Sequence, residues 1–542
     1  MGTHRVMTIR PLLIPALIAN LLPTRAADPA PPGEALYQQR CQVCHQPSGL
    51  GVPGVFPPLA GADFLVKQRE RSIKALCEGL TGKLTVNGLD YSGQMPAQAL
   101  DDSAAARVLN FIGTSWGNKL PTFTPQEIAT VRAKTKFPTV EKLFAAMQFA
   151  PLPKPPAGYE LRELARLPED EFGTRMATRD GHVWLLTQKG TVLLLDPKTS
   201  ALLPVITPAD YLDTTRSTQT LGITVGPDGR LWLTSNQQLK RPDTYPLNEV
   251  TIWRTPPVGP DGHPGKPTVW FRTTYPHGGG FTHGISHIAF GPDGLLYVSS
   301  GSRTDGGEKS TNHPDSPTGE TDLTAAIWRL DPAAPPKLEV LARGIRNPYG
   351  FAWDADGNLF TVTNGPDANA PEEMDHILPG RHYGFPYQYS DWPLLPKPYP
   401  HTPDVPPGLT FTLPVKNLGP AGGAGLSTFD AHSSPAGTIW CGEDFPEPLR
   451  NSFLVTRYGN LLDESKTALA DAGFDVLAMK LTRTPEGTWT AKTTTVLAPL
   501  GRPIDAIRTA PSTVLILDYT RPTNMRDGLG WLPGRIIELR KK

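Results

Sequence analysis

The residues with the clearest chemical capability stand near the start of the sequence, in the order Cys41-Gln-Val-Cys44-His45. Two thiols at this spacing lie on one helical turn, where they can bond both vinyl groups of a haem, and the imidazole that follows can ligate the iron. A zinc knuckle would need a second pair of ligands, but the sequence has no second Cys-x-x-Cys. A thioredoxin-like redox pair would not need His45. The motif therefore predicts a covalent haem c.

A second axial ligand for this iron is expected from a methionine farther along the chain. Met95 is the candidate, because it lies in a polar segment, Tyr91-Ser-Gly-Gln-Met95-Pro96, that predicts a loop. A lone methionine more often fills a hydrophobic core, and this alternative stays open. Ligation by His45 and Met95 would raise the reduction potential and leave no open iron position for a substrate, which indicates one-electron transfer.

The sequence around these residues predicts a small helical domain. Residues 51–64 and 79–96 resemble the class I cytochrome c domains of bacterial dehydrogenases, and this resemblance implies that the same methionine is the axial ligand. Helical patterns run from Asp102 through Trp116 and from Thr124 through Lys134. We therefore expect an all-α cytochrome c domain over residues 33–135.

The amino terminus predicts export. Residues 1–26 contain arginines, an apolar run over residues 11–22 and small residues before Ala27, which is the pattern of a cleaved signal peptide. The run is about a dozen residues, whereas a membrane span needs about 20, although an uncleaved anchor is the alternative. We expect a periplasmic or secreted mature protein without a membrane span. Cleavage would remove Arg5, Arg10 and Arg25 and would leave 49 basic and 52 acidic residues. The resulting net charge of −3 gives no case for nucleic-acid binding.

The rest of the sequence has a repetitive pattern. A proline-rich linker, residues 136–157, is expected to be extended. Over residues 158–542 apolar strands alternate with tight turns such as Asp-Gly, and one strand-turn-strand unit recurs six times. Such repeats predict an all-β six-bladed β-propeller, with Lys240–Phe281 and Thr304–Thr324 as insertions. A β-sandwich or a parallel β-helix would leave the six graded copies unexplained.

One segment of the propeller resembles a known enzyme family. Leu341–Pro386 carries an Arg-Asn-Pro-x-Gly strand start, a Gly-Pro turn, acidic residues and a Gly-x-x-Tyr-Gly-aromatic-Pro ending, in this order. These features are similar to those of the soluble sugar dehydrogenases that use pyrroloquinoline quinone, the glucose/sorbosone and aldose dehydrogenase family. The resemblance covers about residues 158–542 and implies a quinoprotein dehydrogenase.

This resemblance implies a catalytic base. His283 matches the histidine that takes the proton from the sugar hydroxyl, and an imidazole with a pKa of about 6.5 suits that task. Some relatives carry an acidic residue where Thr282 stands, which leaves the orientation of the imidazole open. His287, four residues on, could share the face of His283 in a strand and is the competing candidate. A purely structural role for His283 is the other alternative.

The same resemblance implies the cofactor contacts. Arg346 and Asn347 match a pair that binds the quinone, whose carboxylates and ketone oxygens suit a guanidinium fork and an amide. The backbone carbonyls of Gly365 and Pro366 match the turn that holds calcium against the quinone. Arg457 and Arg502 also match cofactor positions. Relatives carry lysine where Arg457 stands, and they carry one more arginine close to the position of Arg502.

Together these features predict a periplasmic quinohaemoprotein that oxidises the C1 hydroxyl of an aldose, or a related alcohol, and passes the electrons to its own haem c. A downstream periplasmic electron acceptor, a cytochrome or a terminal oxidase, is the expected partner. Two alternatives stay open. One is a haem-plus-propeller nitrite reductase, and the other is a non-catalytic propeller that docks a partner and uses the haem as a relay.

Overall fold

The computed structural model describes residues 32–53, 55–95, 98, 100–134, 151–168, 171–196, 198–241, 244–278, 282–310, 313, 315–333, 335–366, 370–390, 403–425, 427–459, 472–521 and 533–542. The predicted signal peptide, most of the predicted linker and Pro96 lie outside these residues. Among the described residues, no helix is long and apolar enough to cross a membrane.

The first part of the described chain is helical around one apolar core. Asp101 caps the thirteen-residue helix of this part, since its Oδ1 accepts a 2.6 Å hydrogen bond from the backbone N–H of Ala104. Thr124 caps the last helix through a 3.1 Å bond from the N–H of Glu127 to its Oγ1. Both helices therefore begin where their caps predict. The helices are α1 Pro32–Arg40, α2 Gln42–His45, α3 Asp63–Lys67, α4 Arg69–Glu78, α5 Asp102–Thr114 and α6 Pro125–Lys134.

An antiparallel hairpin, β1 Leu80–Val86 and β2 Leu89–Met95, joins α4 to α5. The sequence analysis did not predict these strands, and Met95 is the last residue of a strand rather than part of a loop. The Asn87-Gly88 pair explains the hairpin, because its φ angles of 51° and 80° belong to the tight turn that matches the twist of two strands. Met95 consequently lies directly opposite Leu80.

The second part of the chain forms six sheets, the blades of a β-propeller, as the repeats predict. The strands and one short 3₁₀ helix, in chain order, are β3 Tyr159–Arg166; in blade 1, β4 Gly173–Arg179, β5 His182–Thr187, β6 Val192–Leu195 and β7 Leu202–Ile206, followed by the 3₁₀ helix Pro208–Asp210; in blade 2, β8 Thr218–Gln219, β9 Ile223–Val225, β10 Arg230–Leu239, β11 Leu247–Pro257 and β12 Thr268–Pro276; in blade 3, β13 Ile285–Phe290, β14 Leu296–Ser300, β15 Ala326–Leu330 and β16 Leu338–Arg343; in blade 4, β17 Pro348–Trp353, β18 Leu359–Thr363 and β19 Glu373–Ile377; in blade 5, β20 Lys416–Pro420, β21 Pro435–Cys441, β22 Ser452–Arg457, β23 Asp475–Arg483 and β24 Trp489–Leu497; and in blade 6, β25 Pro503–Ala510, β26 Thr513–Thr520 and β27 Pro533–Lys541.

The ring is closed by strands from its two ends. β27, the last strand of the chain, pairs antiparallel with β3, so that Lys541 lies opposite Tyr159 and Arg535 opposite Arg166. This pairing adds the first strand of the propeller to blade 6 as its outer strand and removes two open sheet edges.

The expected insertion at Lys240–Phe281 contains two strands, which span 20 of its 42 residues. β11 and β12 lie within it and complete blade 2 beside β10. The sequence analysis missed them although Asp261-Gly262 lies between them, and the exposed positions of β12 weaken the alternation of apolar and polar residues. Thr304–Thr324, in contrast, contains none of the strands described above and is held as a loop between β14 and β15.

A buried ion pair ties the blades together near the propeller axis. The guanidinium of Arg175 in β4 donates to Oδ1 of Asp505 in β25 at 2.9 Å. It also donates to the carbonyls of Tyr349 in β17, at 2.7 Å, and of Leu221, at 3.3 Å, just before β9. The other carboxylate oxygen of Asp505 accepts from the N–H of Met176 at 2.7 Å. Four blades therefore share one buried charge and its counter-ion.

Removing the counter-ion should destabilise the propeller strongly. Asp505→Ala leaves the Arg175 guanidinium buried without a carboxylate, so we expect the free energy of unfolding to fall by about 3–5 kcal/mol. Adding Arg175→Met should recover much of this loss. Urea unfolding followed by tryptophan fluorescence measures both effects. Glu339→Ala, which breaks the exposed pair with Arg329, is the control and should cost no more than about 1 kcal/mol. An equal effect of Asp505→Ala and Glu339→Ala would contradict the structural role of the pair.

Candidate functional site

The helical domain contains an apolar cavity beside α2 that is partly open to solvent. Its wall contains Cys41, His45 and Met95, so that residues distant in sequence meet at one space. Met95 reaches it because the register of the β1–β2 hairpin places it opposite Leu80, which also lines the cavity. The rest of the wall is mainly apolar and includes Leu65, Leu76, Leu84, Val86, Leu109 and Ile112.

The imidazole of His45 is oriented for metal binding. Its Nδ1 lies 2.9 Å from the carbonyl oxygen of Pro57. A carbonyl oxygen can only accept, so Nδ1 carries the proton and Nε2 keeps its lone pair. Burial lowers the pKa of His45, although the bond to Pro57 opposes the shift, and the ring is therefore neutral and able to ligate iron.

The two thiols fit covalent attachment better than thiolate chemistry. Burial raises the pKa of Cys41 to about 12 and that of Cys44 to about 11. Zinc binding and thiol–disulfide exchange both require thiolates, which would be scarce here at neutral pH. A cavity lined by apolar side chains, the Cys41 thiol and two axial donors, with the Cys44 thiol three residues from Cys41, fits a haem.

The residues predicted in the propeller lie together at one end of it. His283, Arg346 and Arg502 precede the innermost strands β13, β17 and β25, whereas Gly365 and Arg457 stand at or just after the end of the second strands β18 and β22. Because successive strands in a blade are antiparallel, the start of one and the end of the next share an edge. The structure therefore brings all of these positions to a single face.

Hydrogen bonds to Ser302 fix the tautomer of His283. Nδ1 of His283 lies 3.2 Å from the carbonyl oxygen of Ser302 and 3.2 Å from its Oγ. The Ser302 hydroxyl gives its own hydrogen to the carbonyl of Thr304 at 2.7 Å, so its oxygen faces Nδ1 as an acceptor. Both neighbours of Nδ1 are acceptors, and Nδ1 therefore carries the proton. Nε2 keeps its lone pair and can take a proton from a substrate.

The surroundings keep the His283 ring neutral. Burial and the nearby Arg346 charge lower its pKa to about 3, although the bond to the Ser302 carbonyl opposes this shift. The backbone of Gly301 also packs closely against His283, since a Cβ on Gly301 would lie 2.5 Å from the His283 Cβ. The sequence analysis left the orienting group open at Thr282, but Thr282 accepts a 2.7 Å bond from Gly278 N–H with its hydroxyl. Ser302, nineteen residues from His283, was missed because only the β13–β14 pairing brings it there.

In His287 the Nδ1 atom accepts a hydrogen bond, whereas in His283 it donates one. Its Nδ1 accepts a 3.1 Å hydrogen bond from the N–H of Phe351, and its ring stacks on Phe351 with 4.3 Å between the ring centroids. Burial and the charge of Arg175 lower its pKa well below the usual value. The lone pair of His287 is thus used within the fold, and of the two histidines only His283 has a ring nitrogen available as a base.

Arg346 is buried beside the base and is already ion-paired. Its Nη2 donates to Oδ1 of Asp305, and its Nε donates to the carbonyl of the same residue at 2.9 Å. Its backbone carbonyl accepts from Ser302 N–H at 2.6 Å, so that the same residue links Arg346 to His283. Asn347 lies on the same side, because a Cβ on Gly301 would be 2.9 Å from its Oδ1. Asp305 was missed from sequence, since it belongs to the loop after β14.

The predicted calcium turn follows β18. Arg346 Nη1 donates to the carbonyl of Asn364 at 3.2 Å, which places the turn next to the guanidinium. Gly365 packs on Tyr389, and a Cβ on this glycine would lie 2.7 Å from the ring. Oδ1 of Asn364 is buried and accepts no hydrogen bond in the described part of the chain. An orphaned oxygen beside two backbone carbonyls suits a hard cation such as calcium.

Glu372 joins this turn to the next blade. Its Oε2 accepts from Ser433 Oγ at 3.1 Å and from Ser434 N–H at 2.6 Å. Burial raises its pKa to about 8, although the donors from Ser433, Ser434 and Gly365 oppose the shift. Glu372 and its neighbour Glu373, both in the acidic stretch after the Gly-Pro turn, have different partners, because the carboxylate of Glu373 accepts from Ser390 N–H.

The guanidinium groups of Arg457 and Arg502 are also buried, and both donate hydrogen bonds within the protein. Arg457 binds both oxygens of Asp475, at 2.8 and 2.7 Å, and one oxygen of Asp430 at 2.9 Å. Arg502 donates to the carbonyls of Tyr458 and Gly459 at 3.3 and 3.2 Å. Both carbonyls follow Arg457 directly in sequence, so the two cations are neighbours at the predicted face.

Met95→Ala should remove the axial sulfur. We expect the oxidised protein to lose its weak sulfur–iron absorption band at the red end of the visible spectrum, and the reduction potential to fall, because a thioether ligand raises it. Visible spectroscopy and a redox titration measure these changes. Leu80→Ala, on the facing strand, enlarges the same cavity without removing a donor and should keep the band. An unchanged spectrum of Met95→Ala would exclude this residue as the ligand.

Ser302→Asp should raise the pKa of His283. A carboxylate close to Nδ1 stabilises the imidazolium, and we expect a rise of about 1–3 units from the parental value. The pH titration of ring signals by NMR in histidine-labelled protein measures it. Ser302→Ala keeps the backbone carbonyl and should change the pKa much less. If Ser302→Asp leaves the His283 titration where it is in the parent, the assigned contact with Nδ1 is wrong.

Two family models match the chain. The cytochrome c model matches residues 30–116, and the glucose/sorbosone dehydrogenase model matches residues 260–394. Over 116 residues the chain is 43% identical to cytochrome c-552 from Thermus thermophilus, which covers 20% of this chain and 88% of that protein. It is 32% identical over 116 residues to the cytochrome c subunit of a quinone alcohol dehydrogenase from Gluconacetobacter polyoxogenes, covering 19% of this chain and 22% of that subunit.

Among solved structures, the PQQ-bound form of the aldose sugar dehydrogenase from Streptomyces coelicolor is similar to this chain, with 20% identity and a TM-score of 0.47 over 71% of this chain and 99% of the other. The pairing of a cytochrome c domain with this kind of propeller fits an oxidoreductase that contains haem. In its first domain the chain belongs to the cytochrome c family, and the propeller that follows carries the glucose/sorbosone dehydrogenase match.

Proposed function

We propose that the chain is a periplasmic or secreted dehydrogenase that oxidises the C1 hydroxyl of an aldose, or a related alcohol, and delivers the electrons to its own haem c. The observation that carries this proposal is the state of His283. Its Nδ1–H is held by Ser302, its Nε2 accepts no hydrogen bond from the described residues, and the charge of Arg346 acts on the ring. A neutral imidazole with one free nitrogen is what the removal of a hydroxyl proton requires.

The residues of the propeller also fit pyrroloquinoline quinone and calcium. Arg346, Asn347, Arg457 and Arg502 would hold the quinone, and the carbonyls of Gly365 and Pro366 would hold calcium. When bound, the quinone supplies a two-electron acceptor that the calcium ion polarises. Asn364 Oδ1, which accepts no hydrogen bond in the described part of the chain, is a further oxygen for the cation.

Binding of the cofactor would have to change the buried ion pairs of the site. Arg457 faces both Asp475 and Asp430, and Arg346 faces Asp305. An anionic carboxylate of the cofactor would therefore compete with an internal carboxylate at each guanidinium, while a calcium ion would add the positive charge that balances it. Cofactor and cation should accordingly bind together more tightly than either binds alone.

The first domain supports electron transfer rather than substrate chemistry. His45 and Met95 line the cavity together, and iron bound by both would have no position left for a substrate. Fusion to the propeller would raise the effective concentration of the electron acceptor. We assign residues 33–135 to this domain, 136–157 to the linker and 158–542 to the propeller. A periplasmic cytochrome or terminal oxidase would take the electrons onward.

Two variants separate the chemistry from the electron transfer. In protein supplied with calcium and pyrroloquinoline quinone, His283→Ala should slow sugar-dependent haem reduction by about 10²–10⁴-fold, the usual contribution of a positioned base. Ascorbate should still reduce its haem normally. His45→Ala should show the reverse, with sugar-dependent reduction of a soluble dye retained and no electrons reaching the haem. Stopped-flow spectra and dye assays on a panel of aldoses and alcohols measure both.

Three outcomes would contradict the proposal. If chelator-treated protein regains no activity with calcium and the quinone, but does so with flavin or nicotinamide, the cofactor assignment is wrong. If His287→Ala is inactive while His283→Ala keeps the parental rate, the base is wrong. If no sugar or alcohol reduces the haem under any condition, the protein is a non-catalytic docking or relay protein.

A further inference from the structure

The segment that connects the candidate base to Arg346 lies outside the strands of the propeller. Residues 302–307 follow β14, and the next strand, β15, begins only at Ala326. The segment includes Ser302 and Asp305, which contact the base and the guanidinium. Because no partner strand supplies a ladder of hydrogen bonds here, the backbone N–H groups need other acceptors. The acceptors that they find therefore determine where the two residues lie.

Glu320 accepts from two successive N–H groups of this segment. Its Oε2 accepts from Arg303 N–H at 2.9 Å, and its Oε1 accepts from Thr304 N–H at 3.0 Å. The hydroxyl of Thr304 donates to the same Oε1. Burial raises the pKa of Glu320, although these donors oppose the shift. Both oxygens of the carboxylate are thus engaged by the backbone between Ser302 and Asp305.

Glu308 accepts from the next two N–H groups. Its Oε1 accepts from Asp305 N–H at 2.8 Å, and its Oε2 accepts from Gly306 N–H at 2.6 Å. Two carboxylates therefore hold the four consecutive peptide N–H groups of residues 303–306. A carboxylate suits this task because both of its oxygens accept, whereas a carboxamide has only one acceptor oxygen.

The side chain of Arg303 holds the part of the loop that leads to Glu320. Its buried guanidinium donates to the carbonyl of Pro317 at 2.7 Å and to the carbonyl of Gly319. It also donates to Ser316 Oγ at 2.7 Å. Arg303 thus fixes the residues just before Glu320 through its side chain and is held by Glu320 through its N–H. The loop is closed by its own side chains rather than by a strand.

The held segment contacts both the base and the guanidinium. The Ser302 carbonyl accepts from Nδ1 of His283 at 3.2 Å, and the Ser302 hydroxyl that faces the same atom is oriented by the Thr304 carbonyl at 2.7 Å. Three residues after Ser302, the carbonyl of Asp305 accepts from Nε of Arg346 at 2.9 Å. The carboxylate of Asp305 accepts from Nη2 of the same arginine. A shift of the backbone between these contacts would move the imidazole relative to the guanidinium.

We propose that Glu320 and Glu308 are positioning residues for His283. They hold the segment that keeps its ring in one tautomer and in one place relative to Arg346. They act through the backbone and take no part in the transfer of the proton. This inference deepens the proposed function and rests on it, because it takes His283 to be the base.

Exchange of each carboxylate for an amide tests this role. Glu320→Gln and Glu308→Gln keep the shape of the side chain, but one backbone N–H then faces an NH2 group instead of an oxygen. In histidine-labelled apoprotein, nitrogen-15 NMR should show the two ring nitrogens of His283 well separated in the parent, because only one carries the proton. In both variants we expect these signals to move towards each other, since a ring that is held less firmly exchanges between its tautomers.

The kinetic effect should fall on turnover. With saturating calcium and pyrroloquinoline quinone, we expect kcat to fall by about 10–100-fold in either variant, because misplacement by about 1 Å can cost about 10²-fold. The substrate is the aldose that reduces the haem fastest. Its KM should change less than about twofold, since the two glutamates act on the base and not on the bound sugar. Reduction of the haem by ascorbate should be unchanged.

Asp315→Asn is the matched control. Asp315 lies in the same loop, where its Oδ2 accepts from Thr244 Oγ1 at 2.7 Å and from Tyr245 N–H at 3.2 Å. The exchange of carboxylate for amide is the same, but these bonds do not involve residues 303–306. The control should therefore keep both the His283 signals and the kcat of the parent.

The NMR readout does not depend on turnover and separates the two proposals. If no sugar or alcohol reduces the haem in any of the proteins, but the His283 signals move in the glutamine variants and not in the control, the dehydrogenase function fails and the positioning of His283 stands. Parental signals in either glutamine variant would exclude that glutamate from the role. A loss of kcat with parental signals, or moved signals with parental kcat, would overturn the inference while leaving the proposed function in place.

Discussion

The backbone of Ser302 makes the contacts on which the candidate site depends. Its N–H donates to the carbonyl of Arg346, while its C=O, in the next peptide group, accepts from both the backbone and the ring of His283. The backbone of one residue therefore fixes the base relative to the first cofactor-binding candidate. It can do so because β13, β14 and the segment before β17 meet at the same edge of adjacent blades. No change of side chain at position 302 removes this link, whereas a change of backbone position there would move both partners.

Electroneutrality is the second constraint on this face. Arg346, Arg457 and Arg175 are buried guanidinium groups, and each has a buried or half-buried aspartate as partner. An uncompensated charge in such positions would cost several kcal/mol, so these pairs stabilise the protein. If the proposed anionic cofactor binds, its carboxylates would compete with these aspartates, and a divalent cation would balance the charge that it adds. Glu372 links the segment after β18 to the turn before β21 through its bonds to Ser433 and Ser434.

The sequence was informative wherever a local pattern determines the geometry. Cys41 and His45 belong to one short motif, Asp101 and Thr124 cap helices within three residues, and the strand-turn-strand repeats predicted the six blades. Contacts between blades could not be predicted in this way. Ser302 and Asp305 are brought to the site by tertiary structure alone, and neither has a type or spacing that marks it. The β1–β2 hairpin is a different case, since Asn87-Gly88 is a strong turn pattern that the resemblance to helical cytochromes obscured.

The proposed function divides the chemistry between the two domains. In the first domain the two candidate axial donors, His45 and Met95, line one cavity whose other walls are mainly apolar. Iron bound by both would exchange electrons but would have no position left for a substrate. In the propeller, Ser302 holds Nδ1 of the neutral His283 ring, and Nε2 accepts no hydrogen bond from the described residues. On the proposed function, the bond in a hydroxylated substrate would therefore be broken in the propeller, and the haem domain would receive only the electrons that this reaction releases.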